Sequence, residues 1–401
     1  MFNESLANRI PIVDLPLQYK SISAEIRHAV DEVLETQQFI LGPAVRRFEE
    51  QMAGYLRCRC AIGVASGSDA LLLALMALGV GPGDGVIVPT FSFFSSVSSI
   101  ARLGAKPLII DIDPQSYLMT PASVEAFLAE HSRPDGDAIL DAKHEVKIKA
   151  ILPVHLFGQC CSMAEILEIA QRYRLGIIED VAQACGARIS LAPGKTVLAG
   201  AIGDLGCFSF FPSKTLGGFG DGGLVATHRD NLAEKVRTLR VHGASRKYYH
   251  EVIGINSRLD SIQAAGLFVK QRYLDQWCKQ RIDCAARYQR LFQQSGILGN
   301  GLLSIPPVIT DKSHVFNSYV IRAERRDALK RYLAERGIQT EIYYPVPLHL
   351  QPCFAELGYK PGDFPHAEVA ARQVLALPIY PELTQEQQET VVGNIRDFYR
   401  D

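Results

Sequence analysis

From about residue 60 to residue 230, short apolar runs rich in β-branched residues alternate with stretches of helical periodicity, and this alternation leaves few architectures open. The runs are Cys60 to Ala65, Val86 to Thr90, Lys106 to Ile112, Ile148 to Val154, Gly176 to Asp180, Cys207 to Phe211 and Gly223 to Thr227. The spacing predicts helices over 70–78 and 162–174. Strands that are apolar on both faces must be covered on both faces, so the pattern predicts parallel βαβ units and an α/β fold with a large, mostly parallel sheet. In such sheets chemistry gathers at the strand ends and in the loops that follow them.

Beyond residue 255 the pattern changes. One long helix is predicted over roughly 259–288, then a strand over 315–322, a helix over 326–336, a strand over 340–344, a Pro-rich loop and a helix from Gln385. A chain of 401 residues exceeds the size at which a single core usually keeps growing. The expected division is a large α/β domain over 1–255, whose N-terminal segment packs on the smaller unit, and a linking helix with a smaller α+β domain over 256–401. There is no internal repeat and no low-complexity tract.

With 42 basic and 43 acidic residues the net charge is -1, and no Lys/Arg block offers the electrostatic footprint of a nucleic-acid binder. Nine cysteines, an odd number, include only two close pairs, Cys58/Cys60 and Cys160/Cys161. That pattern is neither a disulfide framework nor a zinc site, so no metal is expected and the thiols point to a reducing cytoplasm. The first residues lack a basic region followed by an apolar core, and no apolar run reaches membrane-spanning length. The expectation is a soluble cytoplasmic protein without nucleic-acid or membrane partners.

Chemistry concentrates in a few places. Lys214 lies in the stretch from Cys207 to Gly223, where a strand delivers it into a glycine-rich turn, and a lysine at a pocket edge can form a Schiff base. Asp180 ends another apolar strand, where a carboxylate is costly without a partner, and Gln183 follows three residues later. An aldehyde-capturing amine beside an acid suggests pyridoxal phosphate. The carboxylate would keep the pyridine nitrogen protonated, Gln183 would meet the phenolic oxygen, and Lys214 would hold the cofactor and then move the proton. Glu179 points to the other face of the strand and reads as structural.

Ser66-Gly67-Ser68-Asp69 lies between a strand and a helix that begins near Ala70. Free amides at a helix N-terminus beside small hydroxyls bind phosphate, although capping by Ser68 or Asp69 explains the same residues. Ser209 offers a further hydroxyl to a phosphate. Phe93, after the strand ending at Thr90, is either a ring that stacks on the cofactor or a core residue. Asn256 and Arg258 open the long helix. Tyr343, Tyr344 and His349 read equally as a packed Pro-rich loop or as one wall of a substrate cleft.

Two rival motifs fail their structural conditions. Gly218 to Gly223 matches G-x-G-x-x-G, but a strand follows it where a dinucleotide site needs a helix, and Gly194-Lys195-Thr196 lacks the phosphate-loop glycine, with Ile189 in its place. Neither NAD nor ATP is supported.

Taken together, the chain resembles the DegT/StrS sugar aminotransferases, of fold type I among pyridoxal phosphate enzymes. The resemblance runs nearly end to end, through Ile10 to Tyr19, Phe39 to Pro43, Ser66 to Leu71, Val154 to Gln159, Ile178 to Gln183, Phe208 to Lys214, Gly254 to Asp260 and Leu377 to Pro381. It implies Lys214 as the Schiff-base lysine, Asp180 at the pyridine nitrogen, Gln183 at the phenolic oxygen, Gly67, Ser68 and Ser209 at the phosphate, and Phe93 on the ring. It also implies that Asn256 reaches the phosphate of the neighbouring subunit's cofactor in a homodimer with shared active sites. Departures are Val181 for a common alanine, Ser68 for a common threonine, and Asn317 where many relatives carry histidine before the substrate loop. The turn from Leu216 to Gly223 resembles that of members acting on 3-keto sugars. The implied reaction is amination of a UDP- or dTDP-linked keto-hexose, with glutamate as amino donor and pyridoxamine phosphate between the half-reactions. Tyr344, His349 and Asn317 are the candidate substrate residues. The alternatives are a family sugar dehydratase, whose members replace the lysine, and a sugar- or cofactor-binding regulatory protein.

Overall fold

In a computed structural model of the chain, the described residues are 9–136, 138–192, 194–299, 301–307 and 314–400. The first eight residues, to which the expectation of no export signal belongs, lie outside them.

A nine-stranded sheet forms the centre. Its main path runs Cys60–Val64, Gly223–Thr227, Leu205–Ser209, Gly176–Asp180, Val146–Ile151, Asp84–Pro89, Lys106–Ile110. From Leu205–Ser209 to Lys106–Ile110 every pairing on this path is parallel. Gly223–Thr227 is antiparallel to both of its neighbours, so the sheet is mixed at that edge. The Lys214 turn, residues 210–222, contains no helix and links the two strands directly as antiparallel neighbours.

Helices cover the sheet. Gly67–Ala77 buries Ala70, Leu71, Leu72, Leu73, Ala74, Leu75 and Ala77, so it is apolar nearly all round and packs between layers. Two helices that the sequence pattern had not singled out, Leu15–Thr36 and Pro43–Leu56, precede the first strand and pack on the helix Ser261–Gln271. The expected helix over 259–288 is two helices, Ser261–Gln271 and Leu274–Ser295, separated at Arg272 and Tyr273. Its start is also corrected: Asp260 stands at the N-cap, and Asn256 and Arg258 precede it outside the helix.

A second hydrophobic core gathers Tyr288, Phe292, Tyr319, Ile321, Leu375 and Ile395 around the antiparallel strands Leu303–Ser304, Tyr319–Ala323 and Val374–Leu377. Ile10 joins it through a bridge to Ile338, which brings the N-terminal segment onto this smaller unit. Leu274–Ser295 touches both cores, Cys278 in the first and Cys284 in the second, and the chain beyond it contributes to both, with Val315, Leu348 and Ala376 in the first. The strand expected over 340–344 is only a bridge between Glu341 and Ala376, because the chain turns away into Pro345 and Pro347.

Candidate active site

The ends of three parallel strands and the start of one helix converge on a cavity of about 420 Å³ between the two cores. Asp180, Ser209 and the turn bearing Lys214 form its floor, and Ile12, Val13, Leu377 and Ile379 close it from the side of the smaller unit.

Ser66, rather than Ser68 or Asp69, caps the Gly67–Ala77 helix, accepting from the Asp69 amide at 3.1 Å. The helix therefore begins three residues earlier than expected. The amides of Gly67 and Ser68 fall in its first turn, where no intrahelical acceptor exists and the dipole favours an anion. Gly67 has to be glycine here, because a Cβ would stand 2.5 Å from Ser209 Cβ and 3.0 Å from its Oγ. The helix start and the end of Leu205–Ser209 thus make one tight cradle. Ser68 shares a 2.5 Å contact between hydroxyls with Ser95.

Asp180 is 5% exposed and faces the cavity. Its Oδ2 accepts from Ser96 Oγ at 2.9 Å and its Oδ1 from the Ala182 amide at 3.1 Å. Burial pushes its carboxyl above the usual range, opposed by those two hydrogen bonds and by Lys214. Among the described residues Asp180 makes no ion pair. Such a carboxylate fits a cationic ring nitrogen.

Lys214 is half-buried, and its amide donates to Phe211 O at 2.9 Å. Burial pushes its ammonium down to about 8, and Asp180 works in the opposite direction. An amine with that acid constant is partly neutral near physiological pH, as a nucleophile needs. Gln183 is oriented by its surroundings. Its Oε1 accepts from the Phe157 amide at 2.7 Å, and its Nε2 donates to the Tyr344 hydroxyl at 2.9 Å, which leaves one N–H to serve a ligand. Phe93, 54% exposed, and Tyr344 flank the opening, with ring centroids 6.1 Å apart. Glu179 lies behind the sheet, where it meets His155 Nε2 at 3.1 Å and accepts from the amides of Gly200, Ile202 and Gly203. Burial alone would raise its carboxyl, but these partners hold it below the usual range.

Comparison with known proteins fits this geometry. The DegT/DnrJ/EryC1/StrS aminotransferase family matches residues 20–396. The chain belongs to this family. Among its curated relatives, a "pleiotropic regulatory protein" of Geobacillus stearothermophilus is 48% identical over 98% of this chain and 99% of its own length. A dTDP-3-amino-3,4,6-trideoxy-alpha-D-glucose transaminase of Streptomyces venezuelae is 40% identical over 97% of this chain and 96% of its own. The crystal structure of DesV from S. venezuelae in complex with a ketimine intermediate superposes with a TM-score of 0.88 at 38% identity, covering 98% of this chain and 100% of that one. The DegT/StrS resemblance and the α/β fold read from the sequence are thereby shown.

Most of the residues expected in a DegT-family site line the cavity: Gly67, Ser68, Phe93, Asp180, Gln183, Ser209, Lys214, Asn317 and Tyr344. Asn317 sits at its rim, where its Oδ1 accepts from Thr215 Oγ1 at 3.5 Å. Two do not line it. His349 is 2% exposed, bonded through Nδ1 to Thr90 Oγ1 at 2.7 Å and through Nε2 to Glu368 at 3.3 Å, so it ties the Pro-rich loop to a strand end. Asn256 is exposed outside the cavity of its own chain. Ser95, Ser96 and Asp221 were not legible as site residues. Ser95 and Asp221 line the cavity, and Ser96 acts through Asp180.

Proposed function

We propose that the chain is a pyridoxal phosphate-dependent aminotransferase that transfers an amino group, from glutamate as donor, to the 3-keto group of a nucleotide-linked hexose. The observation that carries this reading is the placement of Lys214 and of Asp180, which makes no ion pair among the described residues, on one cavity, with the Gly67–Ser209 cradle beside them. Gly67, Ser68 and Ser209 would hold the cofactor phosphate, Asp180 its ring nitrogen, Gln183 its phenolic oxygen, and Phe93 would cover a ring face. When bound, the cofactor supplies an electron sink for loss of a proton at the carbon that bears the amine.

The chain's own groups do the rest. Lys214 would hold the cofactor through its amine, which burial pushes down to about 8, and would carry the proton as a base. Ser96 and the Ala182 amide hold both oxygens of Asp180, so its charge stays aimed at one point. Tyr344 and Phe157 fix the side-chain amide of Gln183. The apolar wall of Ile12, Val13, Leu377 and Ile379 limits water at the reacting centre. The 3-keto position is supported by the glycine turn and by the name of the S. venezuelae relative.

The regulatory name of the Geobacillus relative raises the non-catalytic alternative. A binding protein has no need of a lysine whose ammonium is pushed down beside a buried carboxylate, and the dehydratase alternative lacks the lysine altogether. We place the enzyme in the cytoplasm as a homodimer. An odd number of cysteines without disulfide-framework spacing supports a reducing compartment. No helix among the described residues is long and apolar enough to cross a membrane.

The test is spectroscopic. Purified protein should be yellow and lose the colour with borohydride, and Lys214→Ala should show no borohydride-sensitive band. Loaded with pyridoxamine phosphate, the wild type should consume it with 3-keto nucleotide sugars faster than with 4-keto ones. An unchanged spectrum in Lys214→Ala would overturn the assignment.

A further inference from the structure

Lys270 is a buried cation that no step above uses. It is 4% exposed and forms no ion pair among the described residues. A buried ammonium is costly unless its hydrogen bonds do something specific, and burial pushes this one down to about 8. Its Nζ donates to Gly217 O at 2.7 Å and lies 4.3 Å from the centroid of the Phe219 ring. Gln263, seven residues earlier on the same helix face, accepts from the Phe219 amide through Oε1 at 2.8 Å. Between them stands Gly266, where a Cβ would come within 2.7 Å of the Phe219 ring. One stripe of the Ser261–Gln271 helix thus grips two backbone groups of the turn that follows Lys214.

That turn has reason to need a grip. Gly217, Gly218 and Gly220 let it fold tightly, with the Gly218 amide donating to Phe210 O at 2.7 Å, but glycines give the backbone many other conformations. We propose that Lys270, together with Gln263, is a positioning residue for Lys214: by holding the Gly217 carbonyl and the Phe219 amide, it fixes the turn so that the amine is delivered to one place beside Asp180. The proposal rests on the reading of Lys214 as the cofactor-bearing lysine.

The experiment compares wild type with Lys270→Met, which keeps the stem and removes the donor. In cofactor-free protein, amide hydrogen exchange over residues 215–220 should speed up by about tenfold or more. In the loaded enzyme, kcat should fall by about tenfold while KM for the keto sugar stays within about twofold, the pattern of a group that acts on the chemical step rather than on binding. Gln263→Leu should reproduce both effects and decides the matter if Lys270→Met does not fold. Exchange and kcat equal to wild type in these variants, or a lower Tm with unchanged exchange in the turn, would overturn the clamp while the aminotransferase reading stands. A wild type that takes up no pyridoxal phosphate would overturn both.

Discussion

The Ser96 hydroxyl donates to Oδ2 of Asp180 at 2.9 Å, and it does so from a fully buried position on the helix Ser95–Arg102. The serine lowers the pKa of a carboxyl that burial raises. Ser96→Ala should therefore leave Asp180 protonated over a wider pH range and move the acid limb of the kcat profile to higher pH. A hydrogen bond to a carboxylate contributes about 1.5–3 kcal/mol, so kcat near neutrality should fall on the order of tenfold or more. A pH–rate profile that superposes on wild type would rule out this role.

Lys214 and Asp180 are coupled in the opposite sense. Burial depresses the lysine to about 8 and the carboxylate partly offsets that. Capture of pyridoxal phosphate by cofactor-free enzyme needs the neutral amine, so its rate should rise with pH through about 8 and then level off, well below the ~10.4 of a solvated lysine. In Asp180→Asn the offsetting charge is gone, and the midpoint should move lower. Stopped-flow absorbance at a series of pH values measures both, and a midpoint near 10 in wild type would contradict the assignment.

Gly67→Ala tests the cradle. The added methyl meets Ser209 Cβ at 2.5 Å, so either the helix start or the strand end must shift. Overpacking of this kind costs about 1–3 kcal/mol, here at the expense of the phosphate site, and the Kd for pyridoxal phosphate should rise on the order of tenfold. Titration of the cofactor-free variant reads it directly. Unaltered affinity would place the phosphate elsewhere.

Lys214 and Asp180 were legible from local signals, a polar residue in a glycine turn after an apolar strand or at the end of one, and Gln183 from its place three residues after Asp180. The strand Gly176–Asp180 and the returning strand Gly223–Thr227 fell where the pattern put them, since burial on both faces leaves little freedom in composition. Ser96 was illegible because its importance comes from a partner 84 residues away. His349 misled for the same reason: a histidine in a Pro-rich loop looks free until Thr90, 259 residues distant, is seen to bind it. The break at Arg272 and Tyr273 has neither proline nor glycine to announce it, and the apolar wall from Ile12 and Val13 exists only because the N-terminal segment crosses to the smaller core.

Asn256 provides the test of assembly. It is exposed and lies outside the cavity of its own chain, held in a bridge to Val241, while the adjacent Ser257 is buried and accepts from the Ala65 amide at 3.1 Å. A rigid, exposed asparagine beside a strand that leads into the cradle suits a role in a partner's site. Asn256→Ala and Lys214→Ala homodimers should each be impaired. When the two are mixed and allowed to exchange subunits, each heterodimer would join the intact Lys214 of one chain to the intact Asn256 of the other in one site, leaving its second site doubly defective. With random pairing about a quarter of all sites should recover, well above either parent. If Asn256 serves its own chain, no heterodimer contains an intact site and the mixture should show only the average of the two parents.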